Sequence, residues 1–487
     1  MKSFFLKIST LALATLMVIG CTNEFEEINT NGNAPTEVPV SLLLPGVMRN
    51  MANQVVGTSW GIGNIVMQHT AKIQFVNEDR YQWDEVNGIW NTVYTNMRDV
   101  KNIYDLAEPR GQRNYMGLSL VMKSWMFSLV TDCYGDAPYS EATLGKSDVF
   151  FPVYDEQEAI YDGILADLET ANELLGSSPE SLDGDIIFGG DVMKWKKLTN
   201  SLHIRYLMRL SKRRDVSADL RKILDAPATY PIFEGNEDNA ALTYLEASPN
   251  QFPLHTARVG SFDEFRLSKT LGDTLMALSD PRLFIFARPT AASVAAGTPE
   301  YVGVPNGLDD VEALAYNGGA QNVSRIGSYF YEDAITPEGI SIAKGFIMDY
   351  AELQFILAEA AQKGLISGDA KTFYENGIEA SFAFYGLEVP AGYLQLPEVA
   401  FASSTALEQI GFQKWIALFF HGVESWIDWR RTGIPTITPG KANLNDDRVP
   451  VRFIYPIIEQ ALNSENRNAA VSRQGTDNIN TKLWFEK

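Results

Sequence analysis

Trp60, Phe75, Arg80, Tyr81, Trp83 and Trp90 fall within one stretch of the chain, with Gln74, Asn77, Asp79 and Asn87 among them. Flat rings stack on apolar planes such as the C–H faces of sugar rings, while amide, carboxylate and guanidinium groups hydrogen-bond a hydroxyl rim. Residues of these types capture a ligand; they do not by themselves transform one. Their spacing follows no continuous helical face, so the stretch from about 57 to 91 reads as loop. A second irregular region, from about 230 to 345, carries Tyr301, Asn306, Tyr316, Asn317, Tyr329 and Tyr331, with the same character. The six residues of the first region, with Tyr316 and Tyr329 of the second, are the candidate ligand contacts.

Chemistry of turnover finds no comparable cluster. Glycoside hydrolysis needs two carboxylates at a set separation, and among 61 acidic residues no spacing singles out a pair. His69, His203, His255 and His421 show no metal-ligand spacing with each other or with cysteine. Asp183-Gly184-Asp185 and Asn445-Asp446-Asp447 are oxygen-rich turns without the full ligand spacing of a calcium loop, so calcium is permitted but not indicated. The expectation is a protein that is not an enzyme, with no catalytic residue, no metal and no cofactor.

A different chemistry is written at the N-terminus. Lys2 and Lys7, then an apolar run over 8–19 too short to span a bilayer, describe a secretory signal peptide over 1–20. Val18-Ile19-Gly20-Cys21 resembles the bacterial lipobox, in which the cysteine thiol takes a diacylglycerol and becomes the first residue of the mature chain. Cys21 is therefore the expected lipidation site and membrane anchor, since two or three acyl chains hold a protein far better than one. Residues 21–39 are polar and acidic, with Asn, Gly and Pro and no periodicity, as suits a flexible tether.

The remaining body, 40–487, must position the loops. Its pattern is helical: Tyr115, Leu118, Met122, Trp125 and Leu129 step by three and four, as do Ile160, Ile164, Leu168 and Ala171, and Trp195, Leu198, Leu202, Tyr206 and Leu210. Ile347, Tyr350, Leu353, Leu357 and Ala360 predict one helix of a pair, and Tyr374, Ile378, Phe382 and Tyr385 the next. Gly364 to Gly368 break the two, in a unit about the size of a tetratricopeptide repeat. A last helical block is expected over 407–429. The fold class is thus mainly α, with tetratricopeptide-like helix pairs, long irregular ligand-binding loops and little β, in a single domain. The formal charge of −21, made more negative by loss of Lys2 and Lys7, excludes a phosphate-backbone partner, so no nucleic acid is expected. Cys133 has no intramolecular partner once Cys21 is lipidated and is expected as a small buried hydrophobe.

Several segments in order resemble the SusD/RagB family of nutrient-binding outer membrane lipoproteins. They are Thr131-Asp132-Cys133-Tyr134-Gly135-Asp136-Ala137-Pro138-Tyr139-Ser140-Glu141-Ala142, Gly190-Asp191-Val192-Met193-Lys194-Trp195, Asp280-Pro281-Arg282-Leu283, Glu424-Ser425-Trp426-Ile427-Asp428-Trp429-Arg430-Arg431, and Val451-Arg452-Phe453-Ile454-Tyr455-Pro456. The resemblance implies an α-superhelical scaffold under a loop-rich ligand face and a lipid-anchored place on the outer membrane at the cell surface. It also implies capture of oligosaccharide for a SusC-like TonB-dependent transporter. RagB-type peptide capture and a helical scaffold that binds no nutrient stay open as alternatives. Read from the residues alone, the motifs are structural: Gly135 stops a helix, and Arg430 and Arg431 beside Asp428 and Glu424 tie one helix to its neighbour.

Overall fold

Apolar faces that recur every three or four residues bury themselves only when another element covers them, and the chain solves this by stacking helix on helix. The computed structural model describes residues 39–254, 264–330 and 340–487. Cys21 and the tether, His255 and Tyr331 lie outside them.

α1 (Leu44–Thr58), α2 (Gly88–Ala107), α3 (Arg113–Tyr134), α4 (Gln157–Leu174) and α5 (Val192–Arg209) pack in succession, each against the next. The three periodic faces expected on α3, α4 and α5 are all buried. Asp191 caps α5 by accepting from the Met193 and Lys194 N–H groups at 2.9 and 3.1 Å. α3 stops at Gly135, whose φ of 87° suits glycine and whose missing side chain leaves room for Gln474: a Cβ would lie 2.1 Å from its Oε1.

Among the described residues, two antiparallel two-stranded sheets punctuate the loops. β1 (Thr70–Lys72) pairs with β3 (Phe265–Leu267), Thr70 opposite Leu267, and β2 (Ala240–Leu245) pairs with β4 (Ile340–Met348), Ala240 opposite Met348. Directly after β3 comes α6 (Lys269–Ala277), and further on the short α7 (Asp310–Ala315). The second helical group is α8 (Tyr350–Gln362), α9 (Ala370–Phe384) and α10 (Ala406–Ala417), with α8 packed on both of the others and on α5. The chain finishes through α11 (Glu424–Thr432), α12 (Ile457–Leu462) and α13 (Ser464–Gln474). The architecture is mainly helical with little sheet, as expected.

Three boundaries differ from the periodic reading. Ile347 belongs to β4, because Asp349 accepts from the Glu352 N–H at 2.7 Å and starts α8 only after it. The block over 407–429 is two helices, since Phe420 and Gly422 take left-handed φ of 67° and 68° and break it. It is also not the last: α12 and α13 follow.

Most motif residues serve the core. Arg205 grips Glu352 and the Ile347 carbonyl, and Arg209 reaches Glu424 at 2.5 Å and Asp132 at 3.3 Å. Arg282 is fully buried against Asp280, Ser381 and Gln413. Arg431 binds Glu359 and Asp428, as a helix tie should. Arg430 instead donates to the Asp132 and Val451 carbonyls, and Glu424 pairs with Arg209. Cys133 is buried, and burial raises its thiol pKa well above the ordinary value.

Candidate functional site

The loops between β1 and α7 fold around a small hydrophobic cluster of their own, Ala71, Ile73, Val76, Val304, Leu308, Ala313 and Val323, separate from the main core. Over it opens a cleft of about 760 Å³. Its floor holds Gln68, Asn306 and Leu308, and its sides hold Thr270 and Tyr316, with Lys269 and Asp273 on one flank and Glu312 and Lys441 on another. The volume and the mix of apolar wall with a few polar groups are those of a small-molecule site.

The floor is held in place by hydrogen bonds through both of its amides. Gln68 donates to the Thr438 carbonyl at 2.7 Å and accepts from the Thr270 hydroxyl at 2.7 Å, clipping three segments together. Asn306 donates to the Thr70 carbonyl at 2.8 Å and to Asp79 Oδ1 at 2.6 Å and accepts from the Ser268 hydroxyl at 2.6 Å. The 440–444 loop lies directly on this floor: a Cβ on Gly440 would sit 2.0 Å from the Asn306 carbonyl oxygen, so only glycine allows the approach. Gln68, Phe75 and Tyr81 all adopt positive φ, between 51° and 61°, and such strain in non-glycine residues persists where surrounding contacts over-determine it.

The groups left free to meet a ligand are on the walls. Tyr316 is half-buried, and among the described residues its hydroxyl has no hydrogen-bond partner. Lys269 pairs with Asp273 at 2.5 Å and Lys441 with Glu312 at 2.6 Å, both exposed, so the rim carries charge without net sign.

Behind the floor, Asp79 is buried and also accepts from the Lys72 N–H at 3.1 Å. Burial pushes its carboxyl up to about 7, against the pull of hydrogen bonds from Lys72, Asn306 and Gly307. The folded protein therefore holds this proton to higher pH than the unfolded chain, whose aspartate titrates near about 4. Stability from this group is present at low pH and is lost as pH rises from about 4 through about 7. The stability difference between wild type and Asp79→Asn, from denaturant titrations at a series of pH values, should decline over that window. A difference constant across it would contradict the assignment.

The structure sorts the expected contacts. Tyr316 lines the cleft, and Phe75 stands 69% exposed between Ile73 and Val76 of the small cluster. Trp60 is half-buried with its ring 4.1 Å from Phe265, and Tyr329 packs beside Tyr385 and Phe330. Three expectations need correction. Tyr81 and Trp83 are buried, Trp83 against Trp426 and Phe453, and Trp90 is enclosed by Tyr134, Tyr154 and Tyr455. Large rings near a helix start gain most by filling the core, and these offer no face to solvent. Arg80 points its Nε at the Ala442 carbonyl at 2.7 Å and its own carbonyl accepts from the Leu444 N–H, so it holds the cleft-side loop in place. Of the other aromatics in the second region, Tyr301 packs on Phe284.

Gln68, Lys269, Thr270, Asp273, Glu312 and Lys441 escaped the sequence reading. They are ordinary polar residues on four separate segments, and only Gly440, next to Pro439, hinted at a close backbone approach. The oxygen-rich Asp183-Gly184-Asp185 turn has a different use. The Asp185 carboxylate accepts from the Ile187, Phe188 and Gly190 N–H groups and from the Trp195 indole at 2.8 Å, organising the entry to α5.

Comparison with known proteins adds the family. The sequence profile described as "Starch-binding associating with outer membrane", a SusD-like family, matches residues 32–456. No curated protein matches the chain. Among solved structures it is similar to a SusD homologue from Bacteroides fragilis, with a TM-score of 0.79 and 28% identity over 93% of this chain and 100% of that one. An outer membrane protein from Bacteroides vulgatus, described in connection with nutrient binding, superposes with a TM-score of 0.80 and 28% identity over 92% and 100%. A chitin-binding protein does so with 0.78 and 28% over 92% and 99%. Among the described residues no helix is long and apolar enough to cross a membrane. With its helical frame, its loop-built cleft and a profile match over most of its length, the chain belongs to the SusD-like family.

Proposed function

We propose that the protein is a cell-surface lipoprotein, anchored through Cys21, that binds oligosaccharide in the cleft beside Tyr316 and passes it, without chemistry, to a TonB-dependent barrel transporter. The observation that carries this reading is the cleft itself. It joins a half-buried ring with a free hydroxyl to a hydrogen-bonded floor and a rim of paired charges, in a family described as starch-binding. A pyranose offers an apolar face for the ring and hydroxyls for the rim carboxylates and ammoniums, and it brings no charge that the neutral rim would have to balance. The structural relative described as chitin-binding, 28% identical to this chain, supports a glycan over other nutrients. Phe75, exposed on the same loop cluster, extends the aromatic surface.

A grid of glycans and peptides against the purified protein tests the ligand class, with starch-type and chitin-type oligomers expected to bind and peptides not. Binding of peptides alone would overturn it. Copurification with a barrel transporter tests the delivery step. The anchor has its own test: Cys21→Ser protein should be released from cells that retain wild type, and its retention on intact cells, read by protease shaving, would contradict lipidation at that residue.

A further inference from the structure

A second cavity, of about 340 Å³, opens between α2 and α3 and is closed on its third side by residues 139–144. It shares no residue with the cleft above. Its deepest lining side chains, Met97, Val100 and Phe127, are 1–2% exposed and belong to the main core. Around its mouth the charges are already matched. Lys101 reaches both oxygens of Asp105, at 2.7 and 2.6 Å, and Lys123 pairs with Asp167 at 2.9 Å while sitting 4.8 Å from the Tyr139 ring. Tyr139, from the motif after α3, is spent: its hydroxyl donates to Asp167 at 3.0 Å and its ring makes a T-shaped contact with Phe127, centroids 4.8 Å apart. Tyr104 is not spent. It is half-buried at the cavity, and among the described residues it has neither a hydrogen-bond partner nor a ring partner, and the nearby Thr143 hydroxyl is equally unused.

These features narrow the ligand. A macromolecular interface is built around apolar side chains that stand proud of the surface, yet no large exposed hydrophobic residue occurs on α2, α3 or residues 139–144. An anion or cation would meet lysines and carboxylates that already neutralise each other. What remains is a small, uncharged body with one apolar face for the Tyr104 ring and hydroxyls for Tyr104, Thr143 and the paired charges. We propose that this cavity is a second glycan site, taking one uncharged hexopyranose unit against Tyr104. The class of ligand rests on the reading of the cleft given above; the location does not. Where one polymer spans both sites, the second contact is made at high effective concentration.

Calorimetric titration of the purified protein with maltohexaose and with chitohexaose decides it. At least one of the two sugars should fill two classes of site in wild type. Tyr104→Ala should remove one class, or weaken it at least about tenfold, and leave the other, which Tyr316→Ala removes. Thr143→Trp, which fills the cavity without deleting the Tyr104 ring, should reproduce the Tyr104→Ala result if both variants fold. A single class of site that both cavity variants leave unchanged would overturn the second site while the cleft stands. Loss of a site in Tyr104→Ala with no effect of Tyr316→Ala would support this cavity and sink the cleft instead. Absence of any binding by either sugar would overturn both.

Discussion

Arg431→Ala should destabilise the protein by about 3 to 5 kcal/mol, a large share of the about 5 to 15 kcal/mol that holds a typical protein folded. Arg431 is buried, and its Nη1 and Nη2 reach the two oxygens of Glu359 at 2.5 Å each, with Asp428 Oδ1 at 2.8 Å from Nη2. Burial alone would raise both carboxyls, but the neighbouring cations outweigh it. Glu359 is held down at about 2 by Arg431, and Asp428 well below the usual carboxylate range by Lys414 and Arg431. Lys363 and Lys414 remain for one carboxylate each, but neither replaces the two-pronged grip that joins α11 to α8. Truncation leaves buried charge without its main partner, which is the expensive way to break a buried ion pair. The pH dependence follows the same sign. Both carboxyls have depressed folded values, so their contribution is fully present above about 4 and is lost as pH falls toward about 2. Denaturant titration at neutral pH measures the first effect, and a loss below about 1 kcal/mol would mean that the pair is not the tie described.

Trp83→Ala should cost about 3 to 5 kcal/mol of stability, as deletion of a large buried ring does, and leave glycan binding at low temperature intact. The ring lies between Tyr81, Trp426 and Phe453, and its N–H donates to the Glu78 carbonyl at 3.0 Å. Its deletion would open a cavity at the joint between the first loop region and α11. The contrast with a ligand contact is sharp: a stacking ring would lose affinity and keep its unfolding midpoint. Loss of affinity without loss of stability in Trp83→Ala would return the residue to the binding surface.

That contrast shows what sequence could and could not reveal. Helices were legible because burial repeats with the helical period. The faces led by Leu118, Ile164 and Leu202 needed only spacing. The breaks were less legible. Nothing local announces that Phe420 turns left-handed or that Ile347 belongs to a strand whose partner lies a hundred residues away. The loop aromatics were legible as a group and illegible one by one, because a tryptophan serves a core or a platform with the same chemistry. Trp83 and Trp90 went inward because α2 and the C-terminal segment around Phe453 and Tyr455 meet there, a contact across more than three hundred residues. The cleft was illegible for the same reason: Gln68, Thr270 and Thr438 become neighbours only through hydrogen bonds between distant segments. Tyr316 was readable as an aromatic in a long loop, and the fold gave it a place.

The most direct test of the central claim is the affinity of Tyr316→Ala for maltohexaose and chitohexaose, measured by calorimetry beside its unfolding midpoint. A ring that stacks on sugar is worth about 1 to 3 kcal/mol, so the variant should bind at the cleft about 5-fold to 150-fold more weakly while its midpoint stays that of wild type. Unchanged affinity for every glycan that wild type binds would contradict the account, because the cleft would then not be where the ligand sits.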